Sequence, residues 1–295
     1  MPTPTPAPVE RIAARRAEIG GEVAVDRVLP VRHRRTIGAW CFLDHAGPAR
    51  FEPGRGMHVG AHPHIGLQTF TWMIEGEVLH RDSLGNVQPI RPGEVNLMTA
   101  GNGISHTEDS QPDQRVLHAA QLWIALPPGH DTIAPAFDHY PELPRWRDGG
   151  VDFTLLAGSL AGRKAPCRVY SPLVGVDLSC GGAARPSIPL DPAFEHGLLV
   201  LEGGATVEGG HFDANELAYL PPGRHALEPA LAAGSRALLI GGVPIDHPIV
   251  IWWNFVATDK TRITQAQRDW EAGHARFGTV AGREDSRLAA PPLPW

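Results

Sequence analysis

Two short pairs of residues carry the chemistry of this sequence. His62 and His64 stand one residue apart, ahead of the alternating stretch "LQTFTWMI", and His106 and Glu108 show the same spacing. Residues i and i+2 of a strand point to one face of the sheet, so each pair presents its side chains together. Three imidazoles and a carboxylate suit a divalent transition metal such as Fe, Mn, Ni, Cu or Zn. Four such ligands leave one or two coordination positions open for substrate and O₂.

Each pair alone is weak evidence, because a chain with fifteen histidines will contain some at this spacing by chance. The segment between the pairs strengthens the prediction. The turn sequences "RDSLGN" and "RPGEV" allow the chain to fold back and bring the second pair beside the first. Gly101 and Gly103, just before His106, permit close backbone packing. We therefore predict a metal site.

The neighbouring "HRDS" at His80–Ser83 is interpreted as a polar cluster that stabilises a turn. His58 is left open as a further candidate at the metal site.

The elements that must position these residues are short strands. The sequence holds 33 glycines and 29 prolines, and brief runs such as "EVNLMTA", "VDFTLLAG" and "GLLVLEG" lie between them. Short strands with frequent turn signals predict an all-β barrel or sandwich. The one helical pattern covers residues 259–276, with Asp259 as N-cap and Gly278 as the stop. Its apolar face is formed by Ile263, Ala266, Trp270 and either Ala272 or His274.

An approximate internal repeat divides the chain. The stretches beginning "MIEGEVLHRD" and "VLEGGATVEG" share one order of strand, Glu-Gly turn, strand and Pro-Gly turn, which predicts two similar barrels. We expect a disordered N-terminus at 1–9, a metal-binding barrel at 10–135, a second barrel without a metal site at 145–245, and a C-terminal segment with a helix at 246–295.

Composition excludes several classes of function. The net charge of −6 gives no general attraction to nucleic acid. No apolar run reaches the length of a membrane helix, and the N-terminus does not resemble a signal peptide, so we expect a cytoplasmic protein. Three widely spaced cysteines indicate neither a disulfide framework nor a zinc ribbon.

The stretches "RRTIGAWCFLDHAGP", "HPHIGLQTFTWMIEGEVLHRDSLG", "PGEVNLMTAGNGISHTE" and "IWWNFVATDK" resemble the pirin family of the cupin superfamily. The resemblance implies two cupin-type β-barrels, a bicupin, with a short C-terminal helix and iron in the first barrel only. It implies His62, His64, His106 and Glu108 as the ligands of Fe²⁺, with Ni, Mn, Cu, Co and Zn left open. Two residues depart from expected patterns: Gln68 stands where many cupins carry a Glu ligand, and Asn102 where pirins often carry Arg.

The resemblance also implies a function. We expect an iron-dependent dioxygenase of the quercetin 2,3-dioxygenase type that cleaves a flavonol-like aromatic substrate with O₂. Glu108 would be the catalytic residue that accepts the substrate proton. An apolar cavity lined by Phe42, Leu67, Phe70 and Leu97 would exclude water. The alternative is a metal- or redox-sensitive regulator that binds transcription factors or metabolic enzymes without turnover, with the basic cluster 32–35 as the first surface to test.

Overall fold

The computed structural model describes residues 7–19, 23–52, 55–111 and 113–295. Residues 1–6 of the expected disordered N-terminus lie outside this range. Strands dominate the described chain and there is one α-helix, which confirms the predicted fold class. No helix among the described residues has the length and apolar character needed to cross a membrane.

The strands follow one another with short connections. The first thirteen are β1 (Glu10–Ala13), β2 (Arg15–Ile19), β3 (Val23–Leu29), β4 (Trp40–Arg50), β5 (His58–His64), β6 (Leu67–Gly76), β7 (Val78–Asp82), β8 (Val87–Ile90), β9 (Val95–Thr99), β10 (Ile104–Ser110), β11 (Val116–Ala125), β12 (Ala136–Tyr140) and β13 (Arg145–Asp148). The remainder are β14 (Val151–Ala157), β15 (Ser159–Leu160), β16 (Arg163–Lys164), β17 (Leu173–Ser179), β18 (Ile188–Pro189), β19 (Glu195–Glu202), β20 (Gly204–Val207), β21 (Gly210–Asp213), β22 (Glu216–Leu220), β23 (Ala226–Leu227), β24 (Ala230–Leu231), β25 (Arg236–Gly242), β26 (Val250–Trp252) and β27 (Phe255–Ala257). Helix α1 (Lys260–Glu271) and two 3₁₀ turns, Ala275–Phe277 and Glu284–Ser286, complete the chain.

The chain divides into two compact units. Unit 1 holds the described residues up to Arg15 together with Asp26–His45 and Glu142–Ile245. Unit 2 holds the described residues of Arg16–Val25 together with Ala46–Pro141 and Asp246–Trp295. The division falls within strands β3 and β4, so the chain passes between the units more than once.

Unit 1 is built on the sheet β1-β22-β19-β25-β17-β14-β13. Alternate residues of its strands, among them Leu198, Val200 and Leu239, bury one apolar face in a common core. Cys41 and Trp40 are also fully buried here, and the indole Nε1 of Trp40 donates to the carbonyl oxygen of Val174.

Unit 2 contains the sheet β5-β10-β7-β8 and a larger sheet in the order β12-β9-β6-β11, which continues into the unit 2 parts of β4 and β3 and into β2. Gly76 ends β6 with a φ of 89°, in a turn where a Cβ would collide with the carbonyl oxygen of Val116. Only glycine fits this turn, which connects β6 to β7 of the sheet β5-β10-β7-β8.

Helix α1 packs against strands β26 and β27 in unit 2. The side chain of Asp259 accepts a hydrogen bond from the Arg262 amide, which confirms the predicted N-cap, and Ile263, Ala266 and Trp270 are buried as predicted. The predicted C-terminal boundary is wrong, because the helix ends at Glu271. Ala272 and His274, the alternatives predicted for the last position of the buried face, lie beyond it and are exposed. Gly273 adopts a φ of 69° and ends the helix, and Gly278 instead follows the 3₁₀ turn.

Candidate metal centre

The first functional pair lies on β5 and the second on β10, and the two strands are antiparallel neighbours. His62 stands directly opposite His106 in the register, and His64 lies two residues further along β5 on the same face. The three imidazoles each offer a ligand nitrogen within 4.8 Å of the others. The Nε2 atoms of His64 and His106 are 3.1 Å apart. The structure thus brings together the three predicted histidines.

Two of these rings are oriented by the backbone. His62 Nδ1 lies 2.8 Å from the carbonyl oxygen of Gly60, and His64 Nδ1 lies 3.0 Å from that of Asn254. A carbonyl oxygen only accepts, so each ring must donate its Nδ1–H. The proton on Nδ1 leaves the Nε2 of each neutral ring with the lone pair that a metal requires.

Burial keeps the three rings neutral. Their exposure does not exceed 6%. Loss of hydration lowers the pKa of His62 to about 4, although its hydrogen bond to Gly60 opposes the change. Burial likewise holds the pKa of His64 and of His106 well below the ordinary value, and the neighbouring imidazoles add to the effect. All three are therefore neutral near pH 7, which is the protonation state that binds metals.

Glu108 faces the same side of β10 as His106, and it stands opposite Val59 on β5 and His80 on β7. A bulge between His106 and Glu108 shifts the register here. Glu108 does not belong to the group of ligand atoms that lie within 4.8 Å of one another. Burial and the adjacent carboxylate of Asp109 raise its pKa to about 7. Its role as fourth ligand stays a prediction.

The structure adds one histidine that the sequence interpretation assigned to a turn. His80 Nδ1 lies 3.2 Å from His106 Nδ1, and His80 Nε2 lies 3.1 Å from a carboxylate oxygen of Asp82. Asp82 also accepts hydrogen bonds from the amides of Leu84 and Asn86, so it does stabilise the turn. The His-x-Asp spacing on a strand was the available signal, because it places both side chains on the face that carries His106.

The other residues considered near the site lie elsewhere. The bulge turns His58 outward, where its Nδ1 is 3.2 Å from a carboxylate oxygen of Asp109 and its side chain is 55% exposed. Gln68 donates to the hydroxyl of Thr99 at 2.9 Å. Asn102 is exposed in the turn that precedes β10.

The expected apolar lining is wrong for Phe70 and Leu97. The ring of Trp123 packs against His64 with a centroid distance of 5.3 Å, and Trp123 pairs with Thr69 across the sheet. Strand alternation therefore turns Thr69 and Thr71 toward the histidines and Phe70 away from them; Leu97, which pairs with Phe70, also faces away. The wall beside the site instead carries hydroxyl and amide groups, including a hydrogen bond of 2.7 Å between Thr71 and Gln121.

The basic cluster 32–35 lies in unit 1. His33 and Arg34 both pair with the carboxylate of Glu10, and the guanidinium of Arg34 stacks on the ring of Tyr219 at 3.3 Å. Arg32 and Arg35 are exposed.

The donor set fits a transition metal. Three imidazole rings that are neutral near pH 7 converge, and the Nε2 atoms of His64 and His106 lie 3.1 Å apart, so a cation placed between the rings could bind both. The imidazole ligands suit Zn, Cu, Fe and Ni alike.

Comparisons with known proteins agree with this architecture. Residues 22–124 match the family model described as Pirin, and residues 175–278 match the one described as Pirin C-terminal cupin domain. A Pseudomonas aeruginosa protein named "Putative quercetin 2,3-dioxygenase" is 64% identical over 97% of this chain and 91% of its own length. A "Pirin-like protein" of Caulobacter vibrioides is 39% identical over 90% of this chain and 93% of its own length. A crystal structure of quercetin 2,3-dioxygenase from Acinetobacter baumannii has a TM-score of 0.95 at 48% identity, covering 97% of this chain and 96% of that one.

The fold and these neighbours define an all-β protein with two cupin-type domains, as the sequence predicted. The matches to both family models and to the two relatives identify the family as well as the fold. The chain belongs to the pirin family.

Proposed function

We propose that this protein is a metal-dependent dioxygenase of the quercetin 2,3-dioxygenase type, with Fe²⁺ as the first candidate metal. The observation that carries the proposal is the convergence of three buried, neutral imidazoles on one point of unit 2. The names of the P. aeruginosa relative and of the A. baumannii structure support the reaction type. A cytoplasmic location, and O₂ with a flavonol-like molecule as substrates, are parts of the same proposal.

In this proposal His62, His64 and His106 would hold the metal through Nε2, and Glu108 would complete the ligand set. The bound metal would supply open coordination positions for a substrate oxygen and for O₂. Glu108 accepts the proton of the flavonol 3-hydroxyl, a role that requires hydrogen-bond reach of that oxygen. The overall reaction consumes one O₂ and breaks two carbon–carbon bonds of the substrate ring. It releases one CO and an ester product that contains both atoms of the O₂.

The wall of the site supports a substrate rich in hydroxyl groups. Thr69, Thr71 and Gln121 stand on the face that carries Trp123, which packs on His64. These side chains offer donors and acceptors, and a pocket with a few polar groups selects ligands that satisfy them.

The test is anaerobic loading with Fe²⁺ followed by addition of quercetin and O₂. We expect one CO released for each O₂ consumed, and loss of both signals in the His62→Ala/His64→Ala double variant. Metal bound at one ion per chain without turnover would contradict a quercetin dioxygenase, and it would favour another substrate or the regulator.

Glu108→Gln separates the two roles of the carboxylate. An amide of the same size retains a ligand oxygen but cannot take up a proton, so we expect turnover to fall by about 10²–10⁴-fold while metal binding is only weakened. The measurement is CO release together with metal content. Unchanged turnover would remove Glu108 from the mechanism.

A further inference from the structure

We propose that His80 and Asp82 are positioning residues that determine which nitrogen of His106 carries the proton. The inference rests on the proposed metal site. His80, Asp82 and His106 are all at least 96% buried and form one hydrogen-bonded chain, from the Asp82 carboxylate to His80 at 3.1 Å and from His80 to His106 at 3.2 Å. The ring of Phe137 stacks on His80 with a centroid distance of 4.3 Å and fixes its plane.

The direction of the hydrogen bonds follows from the Asp82 end. One carboxylate oxygen, Oδ1, accepts from the backbone amides of Leu84 and Asn86, and the Asn86 side chain donates to both oxygens, at 3.1 Å to Oδ1 and 2.9 Å to Oδ2. The other, Oδ2, faces His80 Nε2. An ionised carboxylate only accepts, so His80 must carry a proton on Nε2. The Nδ1 of neutral His80 then accepts from His106 Nδ1–H.

The consequence reaches the metal position. With its proton on Nδ1, His106 presents an unprotonated Nε2 toward the Nε2 of His64, 3.1 Å away. The tautomers of His62 and His64 are held by backbone carbonyl oxygens and not by side chains. His106 is the ligand whose tautomer depends on side chains, so this dependence can be tested by mutation.

Asp82→Asn is the sharpest perturbation. The two backbone amides on Oδ1 can only donate, so they hold the amide oxygen of the introduced side chain at that position and turn its NH₂ toward His80. The Asn86 side chain, which donates to both oxygens of Asp82, can rotate its amide to present an oxygen to that NH₂. A donor at this place forces the proton of neutral His80 onto Nδ1, where it faces the Nδ1 of His106. His106 must then move its own proton to Nε2, the atom that should bind the metal. The turn keeps its acceptor, so the fold should be retained.

Asp213→Asn is the matched control. His211 and Asp213 repeat the His-x-Asp spacing on strand β21 of unit 1, with His211 Nε2 3.2 Å from an Asp213 oxygen, but both side chains are more than 60% exposed. This substitution changes the same atoms far along the chain from β10, so it should leave His106 unaffected.

Two measurements follow. In metal-free protein at about pH 8, where imidazoles are neutral, long-range ¹⁵N–¹H NMR of labelled histidines reports the tautomer directly. We expect His106 to carry its proton on Nδ1 in the wild type and in Asp213→Asn, and on Nε2 in Asp82→Asn. Titration with Co²⁺ should show an affinity about 10–100-fold lower for Asp82→Asn than for the wild type.

His80→Phe provides a second variant, since its ring can still stack on Phe137 but accepts no proton. We expect weaker Co²⁺ binding and a mixture of the two His106 tautomers, because no acceptor then holds its proton on Nδ1. An unchanged tautomer and unchanged Co²⁺ affinity in Asp82→Asn would overturn the inference. If the wild type itself failed to bind Co²⁺, the metal site would be refuted, while the NMR result would still decide the tautomer relay.

Discussion

Gly60 connects the metal site to the C-terminal segment, and its replacement by alanine gives a prediction that can be worked through. Its carbonyl oxygen accepts the hydrogen bond from His62 Nδ1. A Cβ at this position would lie well under 3.0 Å from the backbone oxygen of Ser286 and 3.1 Å from the Leu288 side chain. Because the first of these atoms belongs to the backbone, no rotamer change relieves the contact.

The segment around Ser286 must therefore move, and with it the hydrogen bond of 2.8 Å from the Leu288 amide to the Ala61 carbonyl. Overpacking costs about 1–3 kcal/mol, and a lost hydrogen bond adds about 0.5–1.5 kcal/mol. We expect Gly60→Ala to lower the free energy of unfolding by about 2–4 kcal/mol. Each kcal/mol should lower Tm by about 2–4 °C. A displaced Gly60 carbonyl should also weaken metal binding through His62.

The assay is thermal and denaturant unfolding, with Co²⁺ titration on the same samples. Gly182→Ala is the control, because no described atom lies within 4 Å of the position a Cβ would take there and φ lies outside the left-handed region. The reasoning is refuted if Gly60→Ala and Gly182→Ala unfold at the same temperature and bind Co²⁺ equally well.

Three further predictions concern stability. Arg27 donates to both oxygens of the fully buried Asp44, at 2.8 and 2.7 Å. Arg27→Met should therefore lower the free energy of unfolding by about 3–5 kcal/mol in denaturant, because it leaves a buried charge unpaired. Adding Asp44→Leu should recover most of this loss. Asp259→Ala removes the N-cap of α1 and should cost about 1 kcal/mol, measured in the same way, whereas Asp259→Asn should cost little. Burial alone would raise the pKa of Asp82, but hydrogen bonds from His80 and Asn86 hold it below its usual 3.8. The ionised carboxylate therefore contributes to stability above pH 3.8, and this contribution is lost as pH falls through the lower pKa of the folded state. Between about pH 5 and pH 3, the free energy of unfolding of Asp82→Asn should fall less than that of the wild type.

The histidine cluster could be predicted from the sequence because spacing alone determines the face of a strand. His62 and His64 share a face by alternation, and the turn residues between them and His106 indicated that β10 would return beside β5. The all-β class followed in the same way from short runs between glycines and prolines. Local signals of this kind depend on a few neighbouring residues.

The remaining features depend on long-range register. Phe70 was expected beside the metal site, but the pairing of Thr69 with Trp123 determines which face of β6 turns toward His64. The bulge that turns His58 outward arises from the pairing of β5 with β10. His80 looked like part of a turn because its contact with His106 joins residues 26 positions apart. No local pattern specifies these pairings.

The central claim is that His62, His64 and His106 together hold one metal ion. The most direct test is anomalous diffraction at the iron edge from crystals of the protein loaded anaerobically with Fe²⁺. We expect one anomalous peak per chain, bonded to the Nε2 atoms of the three histidines. A peak at another group of residues, or no peak in crystals from fully loaded protein, would contradict the account.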